Sequence, residues 1–261
     1  MRTFSRVLVL WLCCWLSPAV AETPLPPPLP EPAQACHEHI RYGLPGPAPV
    51  LLCRQGYLLA YDPQHKIARW TAYHLTREKV EARVVRRQDS FREDADVPAQ
   101  QRSTLRDYRR SGFDRGHMVP AAAMRWSERA MSESFLLTNM APQVGIGFNR
   151  HIWKELEALV RTWAAARQEV YVVTGAIVEP GAATIGEGKV TIPSHFYKVI
   201  FDPVRVDVIA FLLPNRKLDT RDLPNYRLSV DELEQRTQLD FLSELPDEIE
   251  DRIESIAAVM W

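Results

Sequence analysis

The stretch YRRSGFDRGHMVPAAAM, Tyr108 to Met124, joins an acid, a cation, a glycine and a histidine in Asp114-Arg115-Gly116-His117. Histidine titrates near neutrality, with an unperturbed pKa of about 6.5, and can take a proton at ordinary pH. Arginine is a permanent charge whose planar fork suits phosphate. Glycine before the histidine is expected to let the backbone bend so that the imidazole stands clear.

Farther along lies a second polar cluster, Asn149-Arg150-His151-Ile152-Trp153-Lys154-Glu155-Leu156-Glu157. Phosphodiester cleavage needs a nucleophilic water, charge relief on the phosphoryl oxygens and relief for the departing oxyanion. His117 supplies a base. Asn149, at the expected start of a helix, offers an oxygen to a hard cation that keeps most of its own waters. Glu157 is eight residues on, so at about 100° per residue it returns to within about 80° of the same helix face. There its carboxylate can accept hydrogen bonds from water around the ion. Arg115 is positioned for phosphate, and Asp114 reads as an internal hydrogen-bonding brace.

The rest of the chain sets the frame. Its 261 residues can bury a full core, and 46% hydrophobic with 25% charged residues is a globular composition, not a disordered one. Arg2 and Arg6 precede the apolar run Val7 to Leu16 and the small residues Ala19-Val20-Ala21. Residues 1–21 therefore read as a signal peptide, and export to a bacterial periplasm or secretion is expected. Residues 22–35 (ETPLPPPLPEPAQA) read as a proline-rich tether, extended and not helical. Loss of the leader removes Cys13 and Cys14. The remaining Cys36 and Cys53 are an even pair in an oxidising compartment, so a disulfide is expected, worth about 3 kcal/mol in the chain-entropy model.

Net charge is −1, which alone speaks against a general nucleic-acid binder. The distribution is uneven: residues 76–129 hold 13 Lys/Arg against 9 Asp/Glu, whereas residues 201–261 hold 7 against 14. A local positive face on a near-neutral protein follows.

β-branched and aromatic runs broken by turn residues predict a strand meander from Val50 to Leu75, with Tyr61, Trp70 and Tyr73 in its packing. Residues 80–106 read as a long surface excursion, with Arg86 and Arg87 as phosphate candidates. Ser127 suits an N-cap. Apolar residues at spacings of three and four from Ile152 to Trp163 predict a helix from Asn149 to about Gln168. Strands are expected over 169–174, 191–201 and 206–213, then acidic helices over 232–239 and 247–260. Residues 36–261 thus form one α+β domain with a mainly antiparallel sheet and an acidic helical C-terminal part.

Gly112-Phe113-Asp114-Arg115-Gly116-His117 resembles the DRGH signature of the DNA/RNA non-specific endonucleases, the ββα-metal (His-Me finger) group. Phe91-Arg92-Glu93-Asp94, Asp107-Tyr108-Arg109, Met124-Arg125-Trp126-Ser127, Thr138-Asn139-Met140-Ala141-Pro142-Gln143 and Asn149…Trp153…Leu156-Glu157 follow in family order at similar spacing. The resemblance implies His117 as general base, Asn149 as direct metal ligand, Glu157 as a holder of the ion's water and Arg115 as a phosphate contact. It also implies Arg87 as the upstream phosphate arginine, Asn139 and Gln143 on the substrate side, and Mg²⁺ (or Mn²⁺) as cofactor. The implied activity is hydrolysis of DNA and RNA with little sequence preference, leaving 5′-phosphates, with a homodimer possible. Two alternatives stand beside it: an exported nucleic-acid-binding module with a decayed site, and a phosphodiesterase of narrower range.

Overall fold

The computed structural model describes residues 29–261; the expected signal peptide and the tether up to residue 28 lie outside them. The end of the tether departs from the expected extended chain. Glu31–Ala35 forms the short helix α1, with Pro30 as its N-cap and Pro32 in its first turn. Those N-terminal positions need no amide hydrogen bond, so proline is tolerated there. The expected disulfide is present: Cys36, the C-cap of α1, is bonded to Cys53, with the Cα atoms 5.7 Å apart.

The meander comprises β1 (Val50–Arg54), β2 (Tyr57–Asp62) and β3 (Ile67–Thr76). The chain then leaves the sheet through α2 (Arg77–Glu81), a largely irregular run and α3 (Leu105–Tyr108). The hairpin strands β4 (Phe113–His117) and β5 (Met140–Val144) follow, with α4 (Glu128–Glu133) between them. Ser127 caps α4 as expected, accepting the Ala130 amide. A wide turn, Gly145–Trp153, leads into α5 (Lys154–Arg167). Regular α-helix therefore begins at Lys154, later than Asn149, because Asn149 lies in this wider π-type turn, which the chain enters through Gly147 at φ +90°.

The chain re-enters the sheet as β6 (Glu169–Ile177), which pairs directly with β3. A small hairpin, β7 (Thr184–Ile185) and β8 (Val190–Thr191), precedes β9 (His195–Asp202), β10 (Asp207–Pro214) and the edge strand β11 (Arg227–Leu228). The seven-stranded order is β1-β2-β3-β6-β9-β10-β11, antiparallel throughout.

Period-two alternation divides the sheet between two cores. Leu59, Tyr61, Tyr73, Val172, Phe196 and Ile200 face Leu156, Val160 and Trp163 of α5. Leu58, Ala60, Trp70, Tyr197, Val199 and Phe201 face Ala33 of α1 together with Phe241 and Leu242. On that second side lie α6 (Val230–Thr237), capped by Ser229, and α7 (Asp247–Glu254). The last helix was expected to reach Met260 but ends at Glu254. Ile253 belongs to one core, whereas Ala258, Met260 and Trp261 pack into the other. Arg227 of β11 donates to the Ala258 carbonyl (2.7 Å), and Trp261 lies edge-on to Trp163 at 5.4 Å. The tail thus wraps the β11 edge to reach α5, which a continuous helix could not do. Among the described residues no helix is long and apolar enough to cross a membrane.

Candidate active site

Strand β4 carries Asp114, Arg115 and His117, and β5 fixes its register, with His117 opposite Met140 and Asp114 opposite Gln143. The bend expected at Gly116 is not there. Gly116 is an ordinary strand residue, and the positive-φ glycine is Gly112 (φ +85°), which turns the chain into β4. Gly116 lacks a side chain for another reason: a Cβ there would stand 2.1 Å from Cδ of Gln143. Gln143 fills that space and is fully buried.

The His117 imidazole does not stand clear either. It is 9% exposed, 5.1 Å edge-on to Phe135 and 5.6 Å from Phe91, and its Nε2 has no partner. Burial lowers its pKa to about 3; the nearby charges of Arg87 and Arg115 push the same way and Asp89 opposes them. The ring is therefore neutral across the ordinary pH range, with a lone pair available to a proton.

Asp114 behaves as the brace expected of it. Oδ2 accepts from Asn149 Nδ2 (2.9 Å) and Arg150 Nε (2.7 Å), and Oδ1 accepts from Arg150 Nη2 (2.6 Å). The Arg150 bond, helped by that from Asn149, holds the Asp114 carboxyl below its usual range despite partial burial. Because the carboxylate binds the amide nitrogen, the Asn149 Oδ1 is left as the acceptor on the other side. The brace thereby decides which atom Asn149 presents.

Glu157 and Arg161, one turn apart on α5, line the same cavity as His117 and Asn149. Burial raises the Glu157 carboxyl to about 7, against the opposing pull of Lys198, Arg161, Arg87 and Lys154. Lys198 is fully buried in β9: Nζ donates to Thr174 Oγ1 at 2.5 Å and lies 4.7 Å from the Trp153 ring centre. Burial lowers its pKa to about 8 while Glu157 raises it.

The cavity is about 700 Å³ and holds Arg87, Arg115, Arg150, Lys154 and Arg161 against Asp89, Asp114 and Glu157. Its cationic excess suits a polyanion. Arg115 lies 4.3 Å over the Phe91 ring and Arg87 lies 5.1 Å over Phe135, so aromatic faces steer both guanidinium groups beside the histidine. An amide oxygen, a half-buried carboxylate and a cavity with room for water match the donor set of a hard divalent ion.

Of the expected site residues, His117, Arg115, Arg87, Asn149 and Glu157 meet in this cavity. Asn139 and Gln143 do not. Asn139 is fully buried, its Oδ1 accepting the Val119 amide and its Nδ2 donating to the Val119 and Ser134 carbonyls. It fastens the loop behind His117, while Gln143 packs under Gly116; neither lines the cavity. Arg161 and Lys154 went unread, although Glu157 and Arg161 at i and i+4 share a helix face, which was the available signal.

Residues 37–248 match the profile of the DNA/RNA non-specific endonucleases. Nuclease C1 of Cunninghamella echinulata var. echinulata is 40% identical over 221 residues, 79% of this chain and 88% of that protein. Mitochondrial endonuclease G of Homo sapiens is 36% identical over 219 residues, 78% of this chain and 73% of that one. In the solved EndoG/EndoGI complex, a study of EndoG inhibition, the matched chain superposes with TM-score 0.77 at 32% identity, covering 84% of this chain and 95% of that chain. The chain belongs to the DNA/RNA non-specific endonuclease family, and its enzymatic class is phosphodiester hydrolysis.

Proposed function

We propose that this protein is an exported endonuclease that hydrolyses DNA and RNA with little sequence preference and leaves 5′-phosphates. The observation that carries the reading is the convergence of a neutral His117 imidazole, the Asn149 amide oxygen and Glu157 on one cationic cavity. Family membership makes the reaction metal-dependent; Mg²⁺ (or Mn²⁺) is the ion we assign.

The neutral His117 imidazole takes a proton from the attacking water, and the low dielectric around the ring keeps it unprotonated beforehand. Asn149 Oδ1, oriented by Asp114, would hold the ion, and Glu157 would accept hydrogen bonds from the water around it. When bound, the ion supplies positive charge to the phosphoryl group and the departing oxygen. Arg115, Arg87 and Arg161 hold the phosphate through its charge, so base identity enters little. Export rests on the N-terminal leader pattern and on the Cys36–Cys53 disulfide, which suits an extracellular, oxidising compartment. The relatives named above lend a bacterial periplasm no support.

His117→Ala tests the reading. Loss of general-base catalysis lowers cleavage of plasmid DNA and of RNA by about 10²- to 10⁴-fold in Mg²⁺, with an unchanged melting temperature as the folding control. Undiminished cleavage of both substrates sinks the mechanism. Retained nucleic-acid affinity with no metal-dependent cleavage in the wild type would favour a binding module instead.

A further inference from the structure

The acidic C-terminal part plays no role in this chemistry, yet it concentrates charge. Asp231 and Glu234 project from α6 and Glu254 from α7, and one oxygen of each lies within 4.8 Å of the others. Among the described residues no Lys or Arg ion pair reaches these three; Arg236, on the same helix, pairs with Glu232 instead.

Glu254 separates the cluster from ordinary surface acids. It is 97% buried (3% exposed), and its Oε1 has no hydrogen-bond partner. A buried carboxylate oxygen left unpaired is a costly feature unless something else binds it. Glu234 is itself committed through Oε1 to the Phe241 amide at 2.8 Å, which fixes its carboxylate toward the helix interface. Asp240 and Glu250 add their charge to both glutamates, and burial with this mutual repulsion raises Glu254 to about 9 and Glu234 to about 7.

We propose that Asp231, Glu234 and Glu254 form a second divalent-cation site, built for calcium, that fastens α7 to α6. The donor set is all oxygen, as a hard cation requires. Two oxygens on one Ca²⁺ stand at most about 4.8 Å apart, twice a bond of about 2.4 Å, and Ca²⁺ accepts irregular oxygen shells where Mg²⁺ demands a near-ideal octahedron. The three oxygens lie within that limit, and donors drawn from two separate helices suit the less regular shell. Backbone oxygens and water complete the shell, and an affinity in the range of about 0.1–1 mM suits an extracellular module. The site lies across the sheet from the catalytic cavity, so its ion takes no part in cleavage. Its effect is mechanical: it anchors the helix from which the tail departs round β11 toward Trp163.

The test uses the whole mature chain. Calorimetric titration of Asn149→Ala with CaCl₂, in which the catalytic ligand is absent, is expected to show one bound Ca²⁺, and Asn149→Ala/Glu254→Gln to show none. Melting of the otherwise native chain is expected to rise by about 5 °C in 5 mM CaCl₂ but by much less in 5 mM MgCl₂. Glu254→Gln, nearly isosteric, removes that calcium response while Mg²⁺-dependent cleavage continues at the wild-type rate. Its calcium-free melting temperature is equal to or above wild type, because the unpaired buried acid is gone. The proposal is overturned if Asn149→Ala binds no calcium, or if the calcium response survives Glu254→Gln. A cluster that binds no calcium and simply loses stability as pH rises through 7 to 9 holds protons, and this too overturns the proposal.

Discussion

Asp114→Ala separates orientation from binding in the catalytic cavity. The carboxylate makes three hydrogen bonds, two to Arg150 and one to Asn149 Nδ2 at 2.9 Å. Arg150 has 61% of its side chain exposed, so that ion pair is well screened and contributes little. The bond to Asn149 is charge-assisted and lies deeper, with the Asp114 side chain 19% exposed. Such bonds contribute about 1.5–3 kcal/mol, and partial exposure places this one at the lower end. Without it the Asn149 amide is free to turn its NH₂ group toward the cation. About 1.4 kcal/mol is a factor of ten in an equilibrium constant. The Mg²⁺ concentration for half-maximal cleavage should therefore rise roughly tenfold, with most of kcat recovered at saturating Mg²⁺. A Mg²⁺ titration of plasmid nicking by wild type, Asp114→Ala and Arg150→Ala reads this directly. An unchanged half-saturation in Asp114→Ala, or an equal shift in Arg150→Ala, refutes the claim that Asp114 acts by aiming Asn149.

Gly116→Ala drives a methyl group into the buried Gln143, and overpacking of this kind costs about 1–3 kcal/mol; thermal melting should show the loss, and Gly116→Ala/Gln143→Ala should regain part of it. The folded His117 pKa is about 3 against about 6.5 unfolded, so between those values the unfolded chain binds the extra proton. This contribution to stability is present above pH 6.5 and is lost as pH falls toward 3, and an NMR titration finding the ring protonated near pH 6.5 contradicts the buried geometry. Reduction of Cys36–Cys53 should remove about 3 kcal/mol, or about 6–12 °C of melting temperature, while leaving the distant cavity active below the transition; scans with and without reductant measure it.

Local pattern revealed much of this in advance. The meander, the α5 stripe, the Ser127 cap and the disulfide each depend on near neighbours or on cysteine arithmetic. The pairing of His117 with Asn149 and Glu157 was legible through the ordered set of motifs that resembles the endonuclease family, more than through the chemistry of the three residues alone. What escaped depended on distant partners. Asn139 reads as a polar site residue until Val119 and Ser134 absorb its amide. Gly116 looks like a hinge until Gln143, on the facing strand, takes the place of its side chain. Lys198 sits in the apolar run HFYKVIF, where period two already set it on the face of Phe196 and Ile200. Only the fold shows that α5 lies over that face. The tether misread arose from treating every proline alike, although the first helical turn accepts one.

The pairing of β3 with β6 has a topological consequence. Thr76 and Glu169 are opposed residues in neighbouring central strands, and immediately beyond them the Arg77 amide donates to the Gln168 carbonyl at 2.7 Å. Everything that defines the catalytic cavity, from Arg87 to Arg161, belongs to the excursion between those two points. The nuclease site is thus a single detour from an antiparallel scaffold, and its entrance and exit are already held together by a backbone hydrogen bond. Excising residues 77–168 and joining the ends by a tight turn would leave a continuous meander, with all seven strands in their present order but one face stripped of its cover. The scaffold and the site are topologically separable, and what binds them is the apolar contact of α5 with the sheet.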